Sequence, residues 1–283
     1  MFVLLQKVLP KKTLSALFGI GSRLHLGPVS SLIIRLYIYV YKVDMSDAKI
    51  KDPSAYPTFN HFFTRELASD VRPQPSDQGK VTSPVDGTIS QSGDIKSEIL
   101  IQAKGKQYSL KNLLGDDKLA ALFLNGTYHT IYLAPYNYHR IHMPSDGKAR
   151  FLRYTPGYLF SVNKNTVNNI NNLFCVNERA SIVYESDSGF FALVMVGALN
   201  VGSFEIYTHL QSGFINRPKH NFKPDTLHSL QGEKFIRGTE LGRFNMGSTV
   251  ILLTARNFAS WGEFDTHEKS ISVGAELGGT INL

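Results

Sequence analysis

Apolar blocks broken by cations open the chain, at residues 2–5, 8–9, 14–20 and 32–41, the last interrupted by Arg35. None reaches the ~18 to 20 uninterrupted apolar residues that cross a bilayer. Pro10, Gly19, Gly21, Gly27 and Pro28 divide the stretch into short helices rather than one long one. The extreme N-terminus lacks the cationic region and small-residue cleavage site of a secretory signal. Residues 44–57 are polar, contain two prolines and read as a linker. Thr58 then caps a short helix whose spacing places Phe59, Phe62, Phe63 and Leu67 on one buried face.

From about residue 80 the pattern becomes that of short strands. Residues 130–134, 180–185, 190–201, 234–238 and 249–254 are rich in β-branched and aromatic side chains, with Gly, Asn and Asp clusters between them. Short helices are expected over 109–114 and 117–123. The fold class this predicts is α+β, with a β-rich sandwich or barrel-like core behind an N-terminal amphipathic helical, membrane-associating segment. Three parts are expected: a helical arm over 1–43, a linker and packing helix over 44–79, and a β-rich domain over 80–283.

Composition narrows the function classes. Hydrophobic residues make up 42% and charged residues 19% of the 283, which excludes a disordered or collagen-like chain. The single cysteine, Cys175, excludes a disulfide framework and a Cys-based metal site. Of the net charge of +7, residues 1–43 carry +6, from Lys7, Lys11, Lys12, Arg23, Arg35 and Lys42 with no acidic residue among them. The body is therefore nearly neutral, which argues against a nucleic-acid partner. An apolar, basic arm suits an anionic leaflet, where each cation contributes about 1 kcal/mol. It equally suits packing on the body or on a second subunit. Tyrosines 37, 39 and 41 favour the interface.

Three segments carry candidate chemistry. Ser83-Pro84-Val85-Asp86-Gly87-Thr88 on its own is turn chemistry. In Tyr138-His139-Arg140-Ile141-His142-Met143-Pro144 the two histidines would share a face on a helix but point to opposite faces of a strand. Without an HExxH pattern or a third ligand, no metal is expected. In Phe244-Asn245-Met246-Gly247-Ser248-Thr249-Val250 a serine follows a glycine, whose missing Cβ leaves the preceding carbonyl open to attack. Asp, His and Ser together supply the parts of an activated nucleophile. A metal-assisted hydrolase using the two histidines, or a non-catalytic lipid-binding module, remain alternatives to that reading.

Taken in this order, the three segments resemble the bacterial membrane-type phosphatidylserine decarboxylases, which are pyruvoyl-dependent. The resemblance extends to Thr58-Phe59-Asn60-His61-Phe62-Phe63, Gln102-Ala103-Lys104-Gly105, Leu159-Phe160-Ser161-Val162-Asn163 and Asn177-Glu178-Arg179. Bacterial members commonly have Leu-Gly-Ser-Thr where this chain has Met246-Gly247-Ser248-Thr249, an exchange that conserves volume and leaves the reacting atoms alone. The resemblance implies a proenzyme that cuts itself between Gly247 and Ser248 into a β chain, 1–247, and an α chain, 248–283. Ser248 would become the pyruvoyl group that forms a Schiff base with phosphatidylserine and yields phosphatidylethanolamine. It further implies His142 as the base of self-cleavage, Asp86 as its orienter and His139 as a proton donor during decarboxylation. A homodimer held peripherally on the cytoplasmic side of the inner membrane is the matching expectation.

Overall fold

Antiparallel ladders whose buried faces meet in one large core form the body of the chain, with a smaller aromatic core beneath the N-terminal helices. The computed structural model describes residues 6, 10–199, 204–208, 211–215, 225–245, 248–262 and 268–281. Helices α1 (Lys11–Gly21) and α2 (Pro28–Tyr41) obey the breaks in the sequence. Pro10 precedes α1, and Gly27 at φ +53° turns the chain so that Pro28, with no N–H to lose, opens α2. Among the described residues no helix is long and apolar enough to cross a membrane. Helix α3 (Phe59–Phe63) is capped by Thr58 Oγ1, which accepts the His61 N–H.

Leu67 does not continue α3. The chain leaves the helix at Thr64 and bridges back to the 44–57 segment, with Lys49 N–H donating to Glu66 O and Ala68 N–H to Asp47 O. The backbone there gains sheet-like partners that a further helical turn would forfeit.

The strands are β1 (Lys80–Thr82), β2 (Gly87–Asp94), β3 (Ile99–Ala103), β4 (Lys106–Ser109), β5 (Thr127–Leu133), β6 (Arg140–His142), β7 (Gly147–Thr155), β8 (Arg179–Ser186) and β9 (Gly189–Val196). They continue as β10 (Phe204–Thr208), β11 (Gln211–Ile215), β12 (Leu227–Ser229), β13 (Lys234–Phe235), β14 (Glu240–Phe244), β15 (Ser248–Thr254), β16 (Ala259–Trp261), β17 (Lys269–Ile271) and β18 (Glu276–Thr280). The principal sheet has nine strands in the order β12-β7-β8-β9-β15-β5-β2-β17, with β13 also on β7. A four-stranded sheet, β11-β10-β14-β6, lies beside it. The fold is thus α+β, and among the described residues the large sheet stays open, ending at β12 and β17 rather than closing into a barrel.

Strand ends differ from the sequence expectation. β9 stops at Val196, whose successor Gly197 donates to Glu178 O, and residues 200–201 of the expected strand lie outside the described residues. β13 is only two residues long, because the chain then turns through Gly238 at φ +81° into β14. The apolar run of β15 is buried throughout, as a strand flanked on both sides and covered on both faces requires.

Candidate active site

One end of the large sheet gathers two of the three chemistry-bearing segments. In register, Thr88 pairs with Tyr132, Tyr132 with Thr249, and Leu133 with Ser248. Two strand spacings of ~4.8 Å put the Thr88 and Thr249 backbones about 10 Å apart across β5. Asp86 and Ser248 therefore sit at the same edge. Gly87 makes that approach possible: a Cβ there would fall 2.4 Å from Tyr132 O, so glycine at this place is packing rather than turn chemistry.

The third segment arrives through the four-stranded sheet. β6 pairs with β14, His142 opposite Glu240, while Phe244 N–H donates to His139 O and His142 N–H to Pro84 O. Phe244 is followed by Asn245, and Ser248 starts β15. Met246 and Gly247, and with them the glycine side of the expected cleavage bond, lie outside the described residues.

The two histidines occupy different surroundings, as their spacing on an extended segment predicts. His139 is fully buried, stacked on Phe63 with ring centroids 4.2 Å apart. Its Nε2–H donates to Ala134 O at 3.1 Å, so Nδ1 carries the lone pair, and that atom is buried with no partner among the described residues. Burial, reinforced by the Arg65 cation, pushes its pKa down to about 3. His142 donates from Nδ1 to Gly238 O at 2.9 Å and accepts at Nε2 from the Tyr138 hydroxyl at 2.9 Å. Burial lowers its pKa too, with the Gly238 carbonyl opposing and the Asp86 charge acting through space in the same raising sense.

Asp86 is held elsewhere than on the His142 ring. Arg72 grips both its oxygens, Nε at 3.1 Å and Nη2 at 2.7 Å, and Val273 N–H donates to Oδ1 at 2.7 Å. The same guanidinium reaches Asp47 at 2.7 Å, and these carboxylates raise its pKa. The acceptor that fixes the His142 tautomer is thus a backbone carbonyl, and Asp86 contributes charge. Arg72, Tyr138 and Gly238 were not singled out by sequence reasoning. Tyr138 lies inside the histidine motif, but nothing in Val71-Arg72-Pro73 signals a carboxylate clamp.

Ser248 is fully buried, and its Oγ has no hydrogen-bond partner among the described residues. Two cavities flank the site. One, of about 340 Å³, is lined by Phe18, Tyr37, Tyr41, Phe63, Tyr132 and Leu133, on the side of His139 and the Ser248 partner Leu133. The other, of about 300 Å³, is polar, with Arg72, Tyr138, Arg140, His142 and Glu240 in its wall.

The buried neutral histidines make stability depend on acid. His129 and His139 have folded pKa values lowered to about 3, against 6.5 for the free side chain. The unfolded chain therefore binds more protons from pH 6.5 downward, and stability falls across that window until the folded value is reached. By pH 5 each histidine costs about 2 kcal/mol. Denaturant unfolding at pH 7.5 and 5 is expected to show this loss, and His139→Gln to reduce it by one histidine's share.

The family model described as phosphatidylserine decarboxylase matches residues 59–279, and a second, described as PSD, matches residues 1–42. The phosphatidylserine decarboxylase proenzyme of Coxiella burnetii (strain RSA 331 / Henzerling II) is 41% identical over 282 residues, covering 99% of this chain and 98% of its own. That of Nitrosococcus oceani is 43% identical over 283 residues (98% and 90%), and that of Citrobacter koseri 44% over 256 residues (89% and 79%). With both stretches matched and relatives this similar along nearly the whole length, the chain belongs to the phosphatidylserine decarboxylase family.

Proposed function

We propose that this chain cuts itself between Gly247 and Ser248 and uses the resulting N-terminal pyruvoyl group to convert phosphatidylserine to phosphatidylethanolamine. The observation that carries the reading is the buried Ser248 Oγ, without a hydrogen-bond partner among the described residues, at the start of a central strand. A hydroxyl without competing bonds is a fit precursor for the group. Oγ attacks the Gly247 carbonyl carbon, the C–N bond breaks, the nitrogen takes the proton and the link becomes an ester. Loss of the Ser248 Cα proton then expels residues 1–247 as a carboxylate. The remaining dehydroalanine takes up water and loses ammonia, leaving the ketone.

His142 is the base for this step, at Nε2, once the Tyr138 hydroxyl turns away. Gly238 O holds the opposite N–H, and the Asp86 charge favours the imidazolium that forms. When formed, the ketone supplies an electrophile for the substrate amine and a sink for the electron pair released as carbon dioxide departs. His139 rests neutral. An anionic head group beside it raises its affinity for a proton, which Nδ1 then holds and delivers to the carbon that has lost carbon dioxide.

Denaturing electrophoresis with intact-mass measurement tests the reading. Two fragments, the smaller reacting with a carbonyl reagent, are expected; a fully active, uncut 31.6 kDa chain overturns it.

The arm suits a substrate whose acyl chains stay in a bilayer. α2 buries Ser30 and Ile34 and turns Leu32, Leu36, Tyr39 and Val40 outward, at 67, 60, 82 and 59% exposure. On its inward face Tyr37 and Tyr41, with Phe18 of α1, line the 340 Å³ cavity, so the same arm that turns apolar side chains outward also walls the site. Such contiguous exposed apolar surface marks an interaction site. The cations contribute less than their number suggests: Lys11 is buried over the Phe160 ring at 4.4 Å and Arg35 pairs with Asp52. Apolar burial therefore dominates. The pair Leu32→Glu and Leu36→Glu is expected to abolish sedimentation with anionic vesicles while leaving the melting temperature near wild type; undiminished binding at low salt removes the arm from this role.

A further inference from the structure

Between Asn245 and Ser248 the chain crosses from the four-stranded sheet to the nine-stranded one. The carbonyl that Oγ attacks lies between these two residues in sequence, so the groups that hold each of them bear on the approach. On the far side Ser248 and Thr249 are held in register by β5, and Thr249 also by β9. On the near side one holding group is a side chain from α3. Asn60 Nδ2 donates to Asn245 Oδ1 at 3.3 Å, and Asn245 Nδ2 donates to Glu205 Oε1 at 3.3 Å. Glu205 is in turn braced by Arg243 at 2.8 Å. The Asn60 backbone N–H donates to Ser22 O, at the end of α1, at 2.8 Å. One turn along, on the same face, Phe63 stacks on His139.

We propose that Asn60 is a positioning residue for chain cleavage: its amide holds Asn245, and with it the segment leading to Ser248, against the end of α1. The proposal rests on the self-cleavage reading above and adds the residue that aims it. Both asparagines are buried, at 8 and 3% exposure, and the bond to Asn245 is made by Asn60 Nδ2, whose neighbouring Oδ1 has no partner among the described residues. Attack requires the reacting atoms within about 3 to 3.5 Å, and a misplacement of 1 Å costs about 10²-fold. Removing the Asn60 amide takes away one of the contacts that hold Asn245 and is expected to slow cleavage about tenfold to a hundredfold. The amide acts before the bond is cut, so the cut enzyme should not need it.

The test is a time course of precursor disappearance by denaturing electrophoresis, for the full-length chain and its Asn60→Ala variant. The variant is expected to cut about tenfold or more slowly. Its mature fraction, counted by carbonyl content, should keep kcat and KM for phosphatidylserine in mixed micelles within about twofold of wild type. Asn245→Ala should slow cleavage comparably, and the double variant should be no slower than the worse single one, because both remove the same contact. Thr64→Val loosens the end of α3 without touching the amide, since among the described residues the Thr64 hydroxyl donates to the Asn60 backbone oxygen. It should cut at the wild-type rate. Cleavage of Asn60→Ala at the wild-type rate, full additivity in the double variant, or equal slowing by Thr64→Val overturns the proposal. If Asn60→Ala does not accumulate as folded protein, Asn245→Ala is read by the same criteria. A wild-type chain that never cuts rejects the underlying reading instead.

Discussion

Ser248→Ala is expected to remain a single 31.6 kDa chain and to show no decarboxylation above background. The methyl group fits where the hydroxymethyl stood, and the lost oxygen had no hydrogen bond among the described residues to leave behind. Stability should therefore hold or rise slightly, since a buried polar group without a partner is removed. The combination of a normal melting temperature, an uncut chain and no turnover separates a chemical role from a structural one. Ser248→Cys retains a nucleophile at the same atom position and should cut, more slowly. Wild-type turnover by the alanine variant removes the pyruvoyl proposal altogether.

The histidines should divide the two phases of the chemistry. His142→Ala removes the base and is expected to slow maturation about 10² to 10⁴-fold, the range for a placed general base. Asp86→Asn should act in the same direction and less strongly, because its carboxylate works on His142 through space and is held by Arg72. His139→Gln keeps a side-chain amide able to donate to Ala134 O, so the precursor should cut normally. The mature protein should then turn over about 10² to 10⁴-fold more slowly. Timed electrophoresis gives the first phase, and carbon dioxide release per carbonyl gives the second. A His142→Ala protein maturing at the wild-type rate would falsify this assignment.

Much of this was legible in the chain. The breaks at Pro10, Gly27 and Pro28 set the helices, because proline and glycine act locally. The β-branched run after Ser248 marked a buried strand, and the His-x-x-His spacing foretold two separate surroundings. What remained hidden depends on partners distant in sequence. Arg72 meets Asp86 across 14 positions, and Asn60 meets Asn245 across 185 positions. Neither contact leaves a periodicity or a turn signature. Leu67 misled for the related reason that apolar spacing cannot reveal where a backbone finds a better partner.

The placing of β15 inside the large sheet has a further consequence for the life of the molecule. After the proposed cut, residues 248–283 would still supply a central strand between β9 and β5, an edge strand on β2 and β18, the middle strand of a three-stranded sheet with β1 and β16. The short fragment is woven in and has no route out short of unravelling. Building that weave depends on covalent tethering, which keeps the local concentration of the last strands high. The precursor should therefore refold after denaturant is withdrawn, whereas the two-piece form, once melted, should not: maturation turns a reversible fold into a kinetically trapped one.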